Sequence, residues 1–353
     1  MKTVIADKIA SVAQHNDLSR EIRLSTDIPA EEGVLVACEI LNNKSRYNVL
    51  ELTSGRMAAV NRGDVIVGAL GFRNALFGYS GKLPQSVKVG DVIQMLNIGG
   101  VLGDCDSINP ELGEPFDCKV LGGVLSFPYL GERIGVPARV GAYKFNESDA
   151  LDTHGVPVIA MAGTSMDSGK TAAASAIVSR LRQMGLRIAG GKTTGVSLRR
   201  DILAMEDAGA SNALLFSDFG VVTTSAKNGP ALTRAILSKL TADKPDVVIL
   251  ELGDGLLGSY GVDGILNDPA IRKAISAVVL CASDPVGAWG GVQLLRERFK
   301  LEPAVVTGPA TDNKVGIDIV TQQMKVSAIN AMTHGSELAD LLADKLKLQK
   351  SSH

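Results

Sequence analysis

The stretch that most restricts what this chain can fold into is VIAMAGTSMDSGKTAAASAIVSRLRQMG, residues 158–185. An apolar run reads as a strand, small residues follow, and Gly169-Lys170-Thr171 opens an alanine-rich helix. An abrupt strand end, a permissive loop and a helix N-terminus together make an anion site, because backbone N–H groups and the helix dipole converge there. The spacing departs from the G-x4-G-K-[ST] phosphate loop. The position five before Gly169 is Thr164, and the glycine, Gly163, stands one residue further back. In such a loop Gly163, Thr164, Ser165, Asp167, Ser168 and Gly169 shape the phosphate cradle. Lys170 reaches the terminal phosphates and the Thr171 hydroxyl meets Mg2+.

Around this loop, residues 151–353 alternate strand and helix. Strands are expected in VPVIAMAG, LRIAGGK, DVVILELGDG, SAVVLCAS, PAVVTG and KVSAINAM. Helices are expected over 169–184, 199–216, 230–241, 287–300 and 335–347, the last capped by Ser336. Near-continuous apolar strands alternating with helices imply a parallel sheet covered on both faces. Residues 1–150 have another rhythm: short β-branched runs separated by glycine and charged turns. Two of them, RGDVIVGALG and VGDVIQMLNIGG, share a Gly-Asp-Val-Ile core 27 residues apart and read as matching strands of a small barrel. The acidic stretch 103–118 lacks the glycine and glutamate spacing of an EF-hand and reads as a solvated loop. The expected fold class is thus a P-loop three-layer α/β sandwich with a mostly parallel sheet, residues 151–353, preceded by a β-rich, barrel-like domain, residues 1–150. The polar, turn-rich segment 146–157 is the expected boundary.

Composition narrows the function. A net charge of −2 and 4% aromatic residues give neither the basic surface nor the stacking platforms of a nucleic-acid binder. No apolar run approaches the ~18 residues of a membrane span, so a cytoplasmic protein is expected, with neither membrane nor nucleic acid as partner. Cys38, Cys105, Cys118 and Cys281 form no close pair and read as free thiols. His15, His154 and His334 suggest neither a catalytic pair nor a metal site.

The loop GTSMDSGKT resembles that of dethiobiotin synthetase and its P-loop relatives, which include cobyrinic acid amide synthases and the ParA/MinD ATPases. The resemblance covers residues 156–330. It implies that Lys192, in AGGKTTG, contacts substrate and γ-phosphate. It further implies that Glu251, at the end of VVILE, is the metal-associated glutamate, and that Asp167 is the family's acid within the loop. Asp201 is either a second metal ligand or, like Ser197, a helix cap; Asp254 either joins the site or shapes its GDG turn. Residues 195–224, with an Asp-Ala-Gly-Ala element, are unlike the biotin enzyme and instead resemble an uncharacterised branch of P-loop proteins. Trp289 reads more readily as a packing residue than as a ligand platform.

The expected function is that of a Mg-ATP-dependent ligase or kinase. It would activate a small carboxylate- or amine-bearing metabolite, with Lys170, Lys192 and Glu251 as catalytic residues and Thr171, Asp201 and Glu251 around the metal. A homodimer is expected. Two alternatives stay open: an acyl-CoA-dependent N-acyltransferase, since coenzyme A also offers phosphates to such a loop, and a ParA/MinD-like switch ATPase.

Overall fold

A computed structural model describes residues 2–129, 131 and 134–349. The chain divides into two compact units. One comprises residues 1–144, 196–199 and 216–223; the other comprises 145–195, 200–215 and 224–353. Where a single cut at residue 150 was expected, the β-rich unit also takes two short segments from the C-terminal half.

The β-rich unit is built on a closed ring. Its strands are β1 (Leu35–Ile40), β2 (Val65–Leu70), β3 (Val92–Met95), β4 (Val101–Ile108) and β5 (Asp117–Ser126). β1 pairs antiparallel with β2 (Cys38 opposite Ile66), and β2 pairs parallel with β4 (Ala69 opposite Val101). β4 pairs antiparallel with β3 (Leu102 opposite Met95), and β3 with β5 (Ile93 opposite Cys118). β5 returns to β1 (Val120 opposite Cys38). Closure pairs both edges of these strands, and Val36, Val67, Val101, Cys118 and Val124 on them belong to one buried apolar core. The two Gly-Asp-Val-Ile copies do enter the ring, in β2 and β3, but each pairs with β4 and not with the other. The acidic stretch is not one loop. Residues 103–108 belong to β4, where those from Asp104 on pair with Tyr79–Lys82, and Asp117 opens β5. The strand holds its acids without cost because its later half is progressively exposed. Val136–Pro137 pairs with β5, the Ala138 N–H donates to the Val124 carbonyl, and Arg139 bridges Val34.

The other unit carries a six-stranded parallel sheet. Its strands are β6 (Val158–Gly163), β7 (Ile188–Lys192), β8 (Asn212–Leu215), β9 (Val247–Glu251), β10 (Ile275–Cys281) and β11 (Pro303–Thr307). The order is β8-β7-β9-β6-β10-β11. The main helices are α1 (Lys170–Gln183), α2 (Arg200–Ala208), α3 (Gly229–Thr241), α4 (Pro285–Gln293) and α5 (Gly335–Leu346). Successive strand residues face opposite sides of a sheet. In β7, Gly190 faces Met205 of α2 while Gly191 faces Ile236 and Leu240 of α3, so helices cover both faces. α1 and α5 join α2 in one apolar layer through residues such as Ile177, Leu181, Met205, Leu338 and Leu342. This is the expected three-layer P-loop fold.

Local departures have local causes. The helix expected over 199–216 stops at Ala208, because Gly209 takes φ +108°, and Asn212–Leu215 becomes the edge strand β8. The expected strand 325–332 is reduced to one bridge between Val306 and Ala328; Lys325 is left-handed, and Asn330 directs its side-chain oxygen at the N–H groups of Met332 and Thr333. α4 begins at Pro285, its first turn capped by the Asp284 carboxylate. α5 begins at Gly335, so Ser336 lies inside it and caps nothing. Short helices at Val262–Asn267, Pro269–Ala274 and Lys314–Ile319 were not expected. Among the described residues, no helix is long and apolar enough to cross a membrane.

Candidate functional site

β6 lies inside the sheet between β9 and β10. The loops that leave the carboxyl ends of these strands therefore meet, at the edge where open α/β sheets bind ligands. The phosphate-loop segment 164–169 turns with Asp167 at φ +55° and Gly169 at φ +89°, and α1 starts at Lys170. Thr164 ties the loop to β10: its N–H donates to the Cys281 carbonyl at 2.9 Å, and its hydroxyl accepts from the Ser283 N–H at 3.3 Å. On the other side the GDG segment packs closely. A Cβ at Gly255 would lie 2.8 Å from the Thr164 carbonyl oxygen, and one at Gly253 would lie 2.3 Å from that of Thr194. These two glycines are what let the β9 loop pass between the phosphate loop and the Lys192 loop.

Lys170 is buried and folds over the loop. Its Nζ donates to the Ser165 carbonyl at 2.8 Å, the Asp254 carbonyl at 2.6 Å and the Ser168 hydroxyl at 3.3 Å. Burial lowers its ammonium from the ordinary lysine range, only partly offset by Glu251. The Thr171 hydroxyl stands between two carboxylates, 3.2 Å from Asp201 and 3.3 Å from Glu251. The Lys192 ammonium pairs directly with Asp201 and lies 3.8 Å from Glu251. Burial opposes that charge, but the two carboxylates outweigh it and hold Lys192 above its ordinary range. For Asp201 burial pushes upward and Lys192 outweighs it, so the carboxyl sits low. For Glu251, fully enclosed, burial prevails over Lys192 and the carboxyl is raised. Three cations (Lys170, Lys192, Arg200) and four acids (Asp167, Asp201, Glu251, Asp254) thus line one cavity of about 470 Å³, together with Met166, Gly169 and Thr171.

Lys170, Thr171, Lys192, Asp201 and Glu251, singled out from sequence, therefore converge, and the loop residues stand around them. Gly163 has its place because a Cβ there would lie 2.6 Å from the Lys170 Nζ. Asp254 lines the cavity and also takes a left-handed conformation in the turn. Asp201 lies in the first turn of α2. Asp207 is exposed on α2, away from the cavity lining. Asp218 and Arg199 belong to the β-rich unit, where Asp218 accepts from Gln14 and His15. Trp289 is 55% exposed and so is no core residue. Asp312 accepts from Asn330 at 2.9 Å. Two contributors were missed. Arg200 lines the cavity 3.6 Å from Asp201, and Ser283 meets the Ser165 hydroxyl at 2.9 Å. An Arg beside a suspected ligand and a Ser at a strand's carboxyl end were the available signals. Among the described residues, no group of three or more His, Cys, Asp and Glu is arranged to hold a metal ion.

Fold and loop together define a P-loop α/β unit. No family model matches the chain, and no curated protein matches it. Among solved structures it is similar to the signal recognition particle receptor FtsY from Elizabethkingia anophelis, at 15% identity, TM-score 0.41, over 55% of this chain and 68% of that one. It is also similar to a DUF1611 family protein from Anabaena variabilis, at 12% identity, TM-score 0.41, over 59% and 63% of the two chains. A third likeness is to the hydrogenase maturation factor HypB from Archaeoglobus fulgidus, at 14% identity, TM-score 0.36, over 54% and 91%. Likenesses this distant say nothing of ligand or activity.

Proposed function

We propose that the P-loop unit binds a nucleoside triphosphate, ATP in the first instance, with Mg2+, and transfers or releases its terminal phosphate. What supports this reading is the convergence of the Thr171 hydroxyl with Asp201 and Glu251 in the cavity that also holds Lys170 and Lys192. Mg2+ is typically held by one or two carboxylates, waters and substrate phosphates, without a full protein cage. One hydroxyl and two carboxylates fit that demand, and Thr171, Asp201 and Glu251 would hold the ion. Bound there, it would supply charge neutralisation to the phosphates. The protein's own part is positioning and charge compensation. α1 presents its N-terminal N–H groups, Lys170 exchanges loop carbonyls for phosphate oxygens, and Lys192 turns from Asp201 toward the transferring group. The finer reading is phosphoryl activation of a small carboxylate- or amine-bearing metabolite.

The test is a thermal-shift panel followed by a turnover assay. Saturating ligand at ~100 times its dissociation constant stabilises by about 2.7 kcal/mol. Mg-ATP should raise the melting temperature, Lys170→Ala should abolish the rise, and ADP release should depend on a metabolite. Stabilisation by GTP alone would change the nucleotide but not the site. Stabilisation by coenzyme A alone would favour the acyltransferase, and ATP-driven dimerisation without substrate would favour the switch ATPase. Absence of any response to ATP and GTP would sink the proposal.

A further inference from the structure

The two lysines of the cavity rest on different oxygens. Lys170 Nζ donates to the main-chain carbonyls of Ser165 and Asp254 and to the Ser168 hydroxyl, neutral groups that a phosphate can replace. The Lys192 ammonium instead pairs with Asp201 Oδ2 and lies 3.8 Å from Glu251 Oε1. These are the carboxylates that also flank Thr171, whose hydroxyl stands 3.2 Å from Asp201 Oδ1 and 3.3 Å from Glu251. The fold sets Lys192 there. It ends β7 in register with Glu251 on the adjacent strand β9, and the Thr193 N–H donates to the Glu251 carbonyl at 3.2 Å. A Cβ at Gly253 would lie 3.0 Å from Lys192 Cε, so the glycine after β9 leaves the side chain its room. The ammonium is buried, and among the described residues Asp201 and Glu251 are its acid partners. Every residue of this arrangement belongs to the P-loop unit.

We infer that Lys192 is the resident counter-ion of the metal position, and that it makes the site selective for a metal-bound nucleotide over either ligand alone. A divalent ion arriving alone would meet carboxylates already neutralised by an ammonium, in an enclosure where like charges are poorly screened. A metal-free nucleotide would draw Lys192 away and set its phosphates against two bare acids. When both arrive together, partners are exchanged: the ammonium passes to a phosphate and the carboxylates to the metal. Lys170 has no such part, because its removal uncovers neither carboxylate. Selectivity for the complex rests on the proposed nucleotide site; exclusion of the free ion is measurable without nucleotide.

The probe is Mn2+, followed by electron paramagnetic resonance of the free ion in nucleotide-free protein. Wild type is compared with Lys192→Met, Lys192→Gln, Lys170→Met, and Lys192→Met carrying Asp201→Asn and Glu251→Gln. K192M should bind at least about tenfold tighter than wild type, within the usual range of coupling between two sites. K192Q should do likewise, K170M should match wild type, and the triple variant should lose the gain. Wild type binding as tightly as K192M overturns the inference. So does an equal gain in K170M, which would mark a general charge effect, or a gain that survives in the triple variant. Should neither Lys192 variant fold, wild type decides: Mn2+ held without nucleotide and released by Glu251→Gln overturns the inference, and no such binding upholds it. Wild type should also hold the β,γ-imido analogue of ATP at least about tenfold tighter with Mn2+ than in EDTA; equal affinity overturns the selectivity. Failure to bind the analogue at all, with or without Mn2+, defeats the proposed function and leaves the metal comparison to decide exclusion of the free ion.

Discussion

Replacing Lys192 by methionine tests the electrostatic account of the site directly. The side chain is buried, paired with Asp201 and 3.8 Å from a second buried carboxylate, Glu251. At an effective dielectric constant of ~20, the Glu251 contact alone corresponds to about 4 kcal/mol of attraction. Methionine keeps the apolar stem contacts and removes the charge, leaving two enclosed carboxylates without their main cation. Removing one partner of a buried pair costs about 3–5 kcal/mol. Urea unfolding at pH 7.5 in EDTA, followed at Trp289, the chain's only tryptophan and part of α4 in the same unit, measures this. With a slope of about 2–3 kcal/mol per molar, the midpoint should drop by about 1–2 M. Adding Asp201→Asn and Glu251→Gln to Lys192→Met should recover most of the loss, because replacing a whole buried ionic group is often close to neutral. Mg2+ should partly rescue the single variant, since it brings charge to the same carboxylates. A single variant within about 1 kcal/mol of wild type, with or without Mg2+, would refute the reasoning, because the pair would then be contributing no net stability.

Two further outcomes follow from burial. Glu32 accepts the N–H groups of Val222 and Thr223, yet burial outweighs them and raises its carboxyl. Its folded-state value lies above the ~4.3 of a free glutamate. Its stabilising share is therefore complete below that pH and is lost as pH rises through the folded value. Glu32→Gln should flatten this part of a melting-temperature profile while keeping both hydrogen bonds, and an unchanged profile would count against the assignment. Cys38, Cys118 and Cys281 are buried, with burial raising each thiol, that of Cys281 to about 12. Iodoacetamide under native conditions should add one label, at the half-buried Cys105, and intact mass showing more would contradict the packing of β1, β5 or β10.

The parallel sheet was legible because its strands are short, almost wholly apolar runs, and the phosphate loop because three kinds of signal coincide over a dozen residues. Lys192 and Glu251 were singled out through the resemblance of the loop to dethiobiotin synthetase, and each ends such a strand. The failures occurred where one residue outvoted a window. Gly209 ended a helix whose apolar periodicity continued through Leu215, and the alternation in 325–332 imitated a strand whose polar groups were already committed to Asn330. The placement of 196–199 and 216–223 left no local trace at all. A segment's composition records whether it is a loop, not which distant carboxylate will accept its N–H. For the same reason nothing near Asp218 in the sequence shows that it is held by Gln14 and His15, some two hundred positions away.

The way the chain is shared between its units also limits how a protein of this kind can be inherited or dissected. A gene fragment beginning near residue 145 would encode every strand of the parallel sheet, yet would carry 196–199 and 216–223 without the surfaces that hold them. A fragment ending there would keep the closed ring but lose the strands of main chain laid against it. Such a polypeptide is not a pair of interchangeable cassettes. Neither portion could be duplicated, fused or replaced alone without parting 196–199 and 216–223 from the β-rich unit that holds them.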